Sequence, residues 1–123
     1  MFQQESLIGL HFPLATKWSI VTVPALSFNN DRIPVVQALL KGYDDTLPIQ
    51  RTRVHVFSGE HVDDFDVFFR YNKGFLKNRA VASLGEGVHW RGDLLVLRVG
   101  DRVDFVNISK TTHRRLALEA ASG

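Results

Sequence analysis

The chain has 123 residues, no cysteine, 45% hydrophobic and 23% charged residues, and a formal net charge of +2. That length suits one domain with a core of its own. The composition excludes wholesale disorder, a disulfide scaffold, a thiolate zinc site and a cysteine nucleophile, and 15 basic against 13 acidic residues leave little of the field that a dedicated nucleic-acid binder carries.

The first residues, MFQQESLIGLHF, lack the basic segment and long apolar core of a signal peptide. No apolar run approaches the roughly 20 residues of a membrane helix. A protein that is cytoplasmic or otherwise intracellular, with no membrane contact, is the expectation. Two strands are predicted first, at about Ser6–Phe12 and Trp18–Val23, divided by Pro13; the earlier one also fits a short helix. Pro24 is expected to close the second, because proline cannot donate to a sheet ladder.

Asn29-Asn30-Asp31 offers capping side chains ahead of RIPVVQALLKGY. A principal helix is predicted at about 32–42. Pro34 sits in its first turn, Ile33, Val36 and Leu40 form its apolar stripe, and Lys41 and Gly42 mark its end. Tyr43 to Pro48 is a polar connector.

A hairpin is expected at about 50–71, from QRTRVHVF and DFDVFFRY joined across 58–63. Alternation places Arg51, Arg53, His55 and Phe57 on one side of the first strand. Asp64, Asp66, Phe68 and Arg70 share a side of the second. If the loop ends lie opposite one another, Phe57 faces Asp64, His55 faces Asp66 and Arg53 faces Phe68, and a one-residue slip would flip the faces. Asn72-Lys73-Gly74 reads as a turn, and FLKNRAVASLGEG fits either a short helix or an irregular excursion.

A second hairpin is expected at about 94–108, where LLVLRV and RVDFVNI flank Gly100-Asp101. A two-residue type II′ turn there sets Val99 opposite Arg102, Val96 opposite Phe105 and Leu95 opposite Val106. Its strands are apolar on both faces, so it should lie inside a sheet covered on two sides. The last stretch, 110–123, has helix propensity, a cap in Thr111 or Thr112, and a thin stripe of Leu116, Leu118 and Ala120.

These elements define a single α+β domain over 1–123, a mainly antiparallel sheet of five or six strands with one principal helix and a C-terminal helical segment. A small barrel or sandwich with one helix is the alternative. One short helix cannot cover both faces of such a sheet, so either the sheet closes on itself or a second copy covers the open face.

The densest polar cluster is Glu60 to Asp66 with His55. His55 beside Asp66, with His61 nearby, has the residue types of a general base oriented by a carboxylate, or of a divalent metal site. The same residues pair as charges on a wet sheet face, and no HExxH, EF-hand or GxSxG spacing supports chemistry. No catalytic residue, metal or cofactor is therefore assigned. Arg91-Gly92-Asp93 spells an adhesion tripeptide but fits a turn or bulge before Leu94. Gly85 and Gly87 lack the rest of a phosphate loop, and Asn107-Ile108-Ser109 fits a glycosylation sequon by coincidence at a strand end.

Three functions follow as expectations. The first is a non-catalytic protein-interaction module, binding itself as a homodimer or larger, or another protein, through an apolar and aromatic sheet face with Phe57, Phe68, Arg70, Tyr71 and Trp90. The second is single-stranded nucleic-acid binding, using Lys73, Lys77, Arg79, Lys110, Arg114 and Arg115 beside aromatic groups. The third is a small ligand-binding or hydrolytic domain with His55 and Asp66 lining a buried cavity.

Overall fold

A computed structural model describes residues 3–12, 18–28, 31–36, 39–40, 49–70, 93–100, 105–108 and 110–122. Its strands are β1 Gln3–Phe12, β2 Ser19–Phe28, β3 Asp31–Pro34, β4 Gln50–Ser58, β5 His61–Phe69, β6 Leu94–Val99 and β7 Phe105–Val106, and its helix is α1 Thr111–Ser122. The sheet order is β3-β2-β1-β6-β5-β4, with β7 pairing β6 beside that path, and every pairing is antiparallel. The sheet curls into a half-barrel; Arg32 on β3 reaches across to donate to the Phe105 carbonyl on β7 at 3.1 Å.

β6 is the axis of the fold. Leu94, Leu95, Val96, Leu97 and Val99 are all buried, so both of its faces are covered, as its unbroken apolar run requires. One face joins Leu10, Phe12, Phe65, Val67, Leu94 and Val96 to Leu116, Ala117, Ala120 and Ala121 of α1. Those four helix positions form one stripe, and its three alanines let the helix lie close to the sheet. The opposite face gathers Leu7, Val23, Ala25, Phe68, Leu95, Leu97, Val99 and Phe105, with Val36 and Leu40 packed over them. Two cores back to back, one per face, hold the sheet between them.

Several expectations are corrected. The principal helix at about 32–42 is corrected at its described residues: Asp31–Pro34 is the edge strand β3, and Val36 and Leu40 pack on the sheet without α-helical structure. Ile33, Val36 and Leu40 carry helical spacing, but pairing with β2 overrides it. Val35 N–H donates to the Pro24 carbonyl at 2.8 Å, which makes 24 and 35 a hydrogen-bonded pair and turns the missing donor of Pro34 to the outer edge. β2 also runs through Pro24, because the absent donor faces the end of β3 and not β1.

In the first hairpin the turn is shorter than expected. Gly59 at φ 63° closes a two-residue loop, the left-handed geometry that primed turns require of their first central residue. Arg53 thus faces Asp66, His55 faces Asp64 and Phe57 faces Val62, two positions from the expected partners but on the same faces.

The second hairpin lacks the tight turn. Arg98 faces Val106 and Val99 faces Phe105, so the connection is longer than Gly100-Asp101 and the register changes by an odd number. β7 is two residues long because β1 takes the rest of that side of β6, pairing Leu10 with Val96 and Phe12 with Leu94. The helix α1 begins at Thr111, and Arg114 N–H bonds the Lys110 carbonyl, so neither Thr111 nor Thr112 precedes its first turn. Residues 71–92, which contain the expected turn and excursion, lie outside the described residues. Among the described residues, no helix is long and apolar enough to cross a membrane.

Candidate functional site on the β4–β5 hairpin

β4 is the terminal strand of the sheet, and its alternation sorts its side chains sharply. Val56 is buried and Val54 half-buried toward the α1 face, while Arg51, Arg53, His55 and Phe57 are exposed on the other. On that second face β5 supplies Asp64 and Asp66 opposite His55 and Arg53. Asp66 is fully buried, and its carboxylate accepts from Arg53 Nε at 2.6 Å and from Arg53 Nη2 at 3.2 Å. Arg51 Nε stands 3.6 Å from the same carboxylate. The hydrogen bond to Asp66 pushes the Arg53 guanidinium up from its ordinary value, against the opposing effect of burial, with the charges of Asp66 and Asp64 adding to the rise. Both arginines are therefore drawn back over β5.

The His–Asp pairing differs from expectation. His55 Nδ1 lies 2.5 Å from Asp64, and Asp66 belongs to Arg53. The side chain of His55 is 56% exposed, where a buried cavity was expected. His61 is exposed at the hairpin turn. Asp63 points to the α1 face and accepts from Arg98 Nη2 at 3.2 Å, so the acidic run divides between the two sides of the sheet. Among the described residues no three His, Asp or Glu side chains converge as a metal site. Among the described residues the exposed imidazole of His55 meets one carboxylate, that of Asp64.

Of the expected contact residues, Phe68 is corrected: it is buried and its ring packs against Phe105 at a centroid distance of 5.9 Å. Arg70 is buried as well. Phe57 is 72% exposed and faces Val62, which is 51% exposed, so an apolar pair caps the hairpin tip in water. Tyr71, Trp90, Lys73, Lys77 and Arg79 lie outside the described residues, as do Gly85, Gly87, Arg91 and Gly92. Asp93 is buried with an oxygen 3.5 Å from His11 Nε2, folded into the domain. Lys110 and Arg115 are exposed at the start of α1, and Arg114 is half-buried between them and the body.

Sequence reasoning passed over two features. His113 lies on the docked side of α1, and its spacing of three and four from Leu116 and Ala117 would have placed it there. Burial holds its imidazole below the ordinary value, with Arg98 and Lys110 acting in the same direction and Asp63 partly opposing. Ile20, Ile33 and Val35 form the second feature, exposed apolar groups on the outer face of β2 and the edge beyond it. Set against family models, curated proteins and solved structures, the chain gives no match.

Proposed function

We propose that this domain is a non-catalytic protein-interaction module that self-associates by strand addition at β4. One observation carries the reading: β4 is a nine-residue edge strand, regular over its whole length and, among the described residues, unpaired on its outer side. The two ends of the sheet differ in this respect. β3 has four residues and presents Pro34, a natural block to pairing. β4 contains no proline, glycine or lysine and no bulge, and its two arginines are turned toward Asp66. The exposed Phe57 and Val62 add the aromatic and apolar component that interfaces favour.

The test uses the hairpin's own geometry. With a two-residue turn, Ser58 and His61 form the hydrogen-bonded pair beside it, so even-numbered residues of β4 bond β5 and odd-numbered ones turn N–H and C=O outward. His55→Pro removes an outward donor and leaves the β4–β5 ladder intact; His55→Ala removes the side chain alone. Solution mass should show a dimer or larger for the unchanged chain and His55→Ala at both low and high salt, and a monomer for His55→Pro. A monomer in every case, across the accessible concentration range, removes the reading.

Nucleic-acid binding is the second reading, favoured by Lys110 and Arg115 in the open beside Arg114, whose buried Nε has no hydrogen-bond partner among the described residues. It requires affinity for a single strand that falls steeply with salt and weakens when Arg114 and Arg115 are both replaced by alanine. Binding that is absent or insensitive to salt ends it.

A further inference from the structure

The self-association reading leaves the pairing partner and register open, and β4 itself restricts both. Resting on that reading, we infer that the partner strand is β4 of a second copy, antiparallel and centred on Val54. The strand Gln50–Ser58 has Val54 at its midpoint, so this register pairs all nine residues of one copy with all nine of the other. Val54 then meets its own symmetry mate, Thr52 meets the partner's Val56, Arg53 the partner's His55, and Arg51 the partner's Phe57.

Two physical requirements select this alignment. The outward backbone groups belong to the odd-numbered residues, and the centred register opposes odd to odd at four pairs, giving about eight ladder hydrogen bonds. Charge decides between neighbours. Centring on Arg53 sets that guanidinium against its own mate, and centring on Thr52 sets Arg51 against Arg53; like charges directly opposed destabilise a sheet pair. Centring on His55 avoids that clash but leaves Gln50 and Arg51 beyond the partner's strand. In the Val54 register no arginine is set against another arginine, and both remain turned toward Asp66 of their own copy. Val54 also packs against the core beneath α1, so pairing there makes the two helix-covered cores continuous.

The absence of native cysteine makes the test direct, since every thiol in a variant is an introduced one. Opposed residues without mutual hydrogen bonds in an antiparallel pair have Cα atoms about 4.5 Å apart, within disulfide reach. Val54→Cys should therefore form an intermolecular disulfide under mild oxidation at least about tenfold faster than Thr52→Cys, whose mates would lie roughly 13 Å apart. Thr52→Cys combined with Val56→Cys should crosslink as fast as Val54→Cys and reports the same register should that single variant fold poorly. Faster crosslinking at Arg53→Cys or His55→Cys, in a chain that is a dimer by mass, overturns the centred register and leaves strand addition standing. A monomer by mass, with no position crosslinking above the others, overturns both.

Discussion

Removing the arginine from the Arg53–Asp66 pair tests whether the candidate face is held by charge or merely decorated with it. Asp66 has a side chain 1% exposed and Arg53 one 34% exposed, joined by contacts of 2.6 Å and 3.2 Å. Deleting one partner of a buried pair costs about 3–5 kcal/mol, because the other charge stays in a poor dielectric. Here Arg51, 3.6 Å away and more than half exposed, supplies partial compensation. Arg53→Met keeps the aliphatic reach and should therefore destabilise by about 2–3 kcal/mol, below the fully buried range. Replacing both members, Arg53→Met with Asp66→Leu, removes the stranded charge and should return stability to within about 1 kcal/mol of the parent. Urea denaturation of the parent, both single variants and the double variant gives the coupling directly. If Arg53→Met alone changed the unfolding free energy by less than about 0.5 kcal/mol, the carboxylate would not depend on it and this account of the face would fall.

Three further perturbations probe what positions that face. A Cβ on Gly9 would stand 2.6 Å from Leu97 Cδ2 and 2.8 Å from the Val96 carbonyl oxygen, and the backbone atom cannot swing away. Gly9→Ala should cost about 2–3 kcal/mol by overpacking, read from the urea midpoint, and an unchanged midpoint would mean the two strands separate freely. Leu116→Ala should lose about 2–4 kcal/mol, since the leucine is 4% exposed beneath the helix; a loss under about 0.5 kcal/mol would place α1 off the sheet. For His113 the sign runs toward acid sensitivity. Its folded value lies below the ordinary 6.5, so the unfolded chain binds the proton more readily. The stability it leaves intact is present above about pH 6.5 and is lost as pH falls from there through the folded value. His113→Gln should flatten the decline of the urea midpoint between pH 7 and pH 5, and identical slopes in the two chains would refute it.

The sheet was more legible than its edges. β6 was readable because five of its six residues are large and apolar, a pattern that requires cover on both faces. The faces of β4 and β5 were readable for a similar reason, as an alternation survives any shift of two. Partner identity was not. Whether Gly59-Glu60 or a six-residue loop closes the hairpin depends on one backbone angle, and that choice moved Asp66 from His55 to Arg53. The stretch after Asp31 reads as a helix because its apolar spacing satisfies one, yet Phe28 at the end of β2 pairs with Asp31, so the strand that captures it is its immediate neighbour in sequence. Alternation places Phe68 on its correct side of β5 but carries no sign that this side is covered there. The sheet's curl, which lays Phe105, Val36 and Leu40 over that end of the face, has no local signature.

That curl also explains why the same face can be core at one end and candidate interface at the other. Phe68, Leu95 and Leu97 lie toward the middle of the sheet, where the half-barrel and the segment after β3 close over them. Moving outward along the same side, burial falls from Asp66 to Asp64 and then to His55 and Phe57. A charged group placed at the inner limit needs a partner, and Arg53 supplies it; a group at the outer limit is wetted. The arginine that neutralises Asp66 is thereby withdrawn from the rim of β4, where a projecting cation would obstruct a neighbouring strand. One buried aspartate thus couples the packing of the core to the openness of the edge. Loss of Asp66 would release both arginines toward the rim, so Asp66→Leu should weaken self-association even where the fold tolerates the exchange.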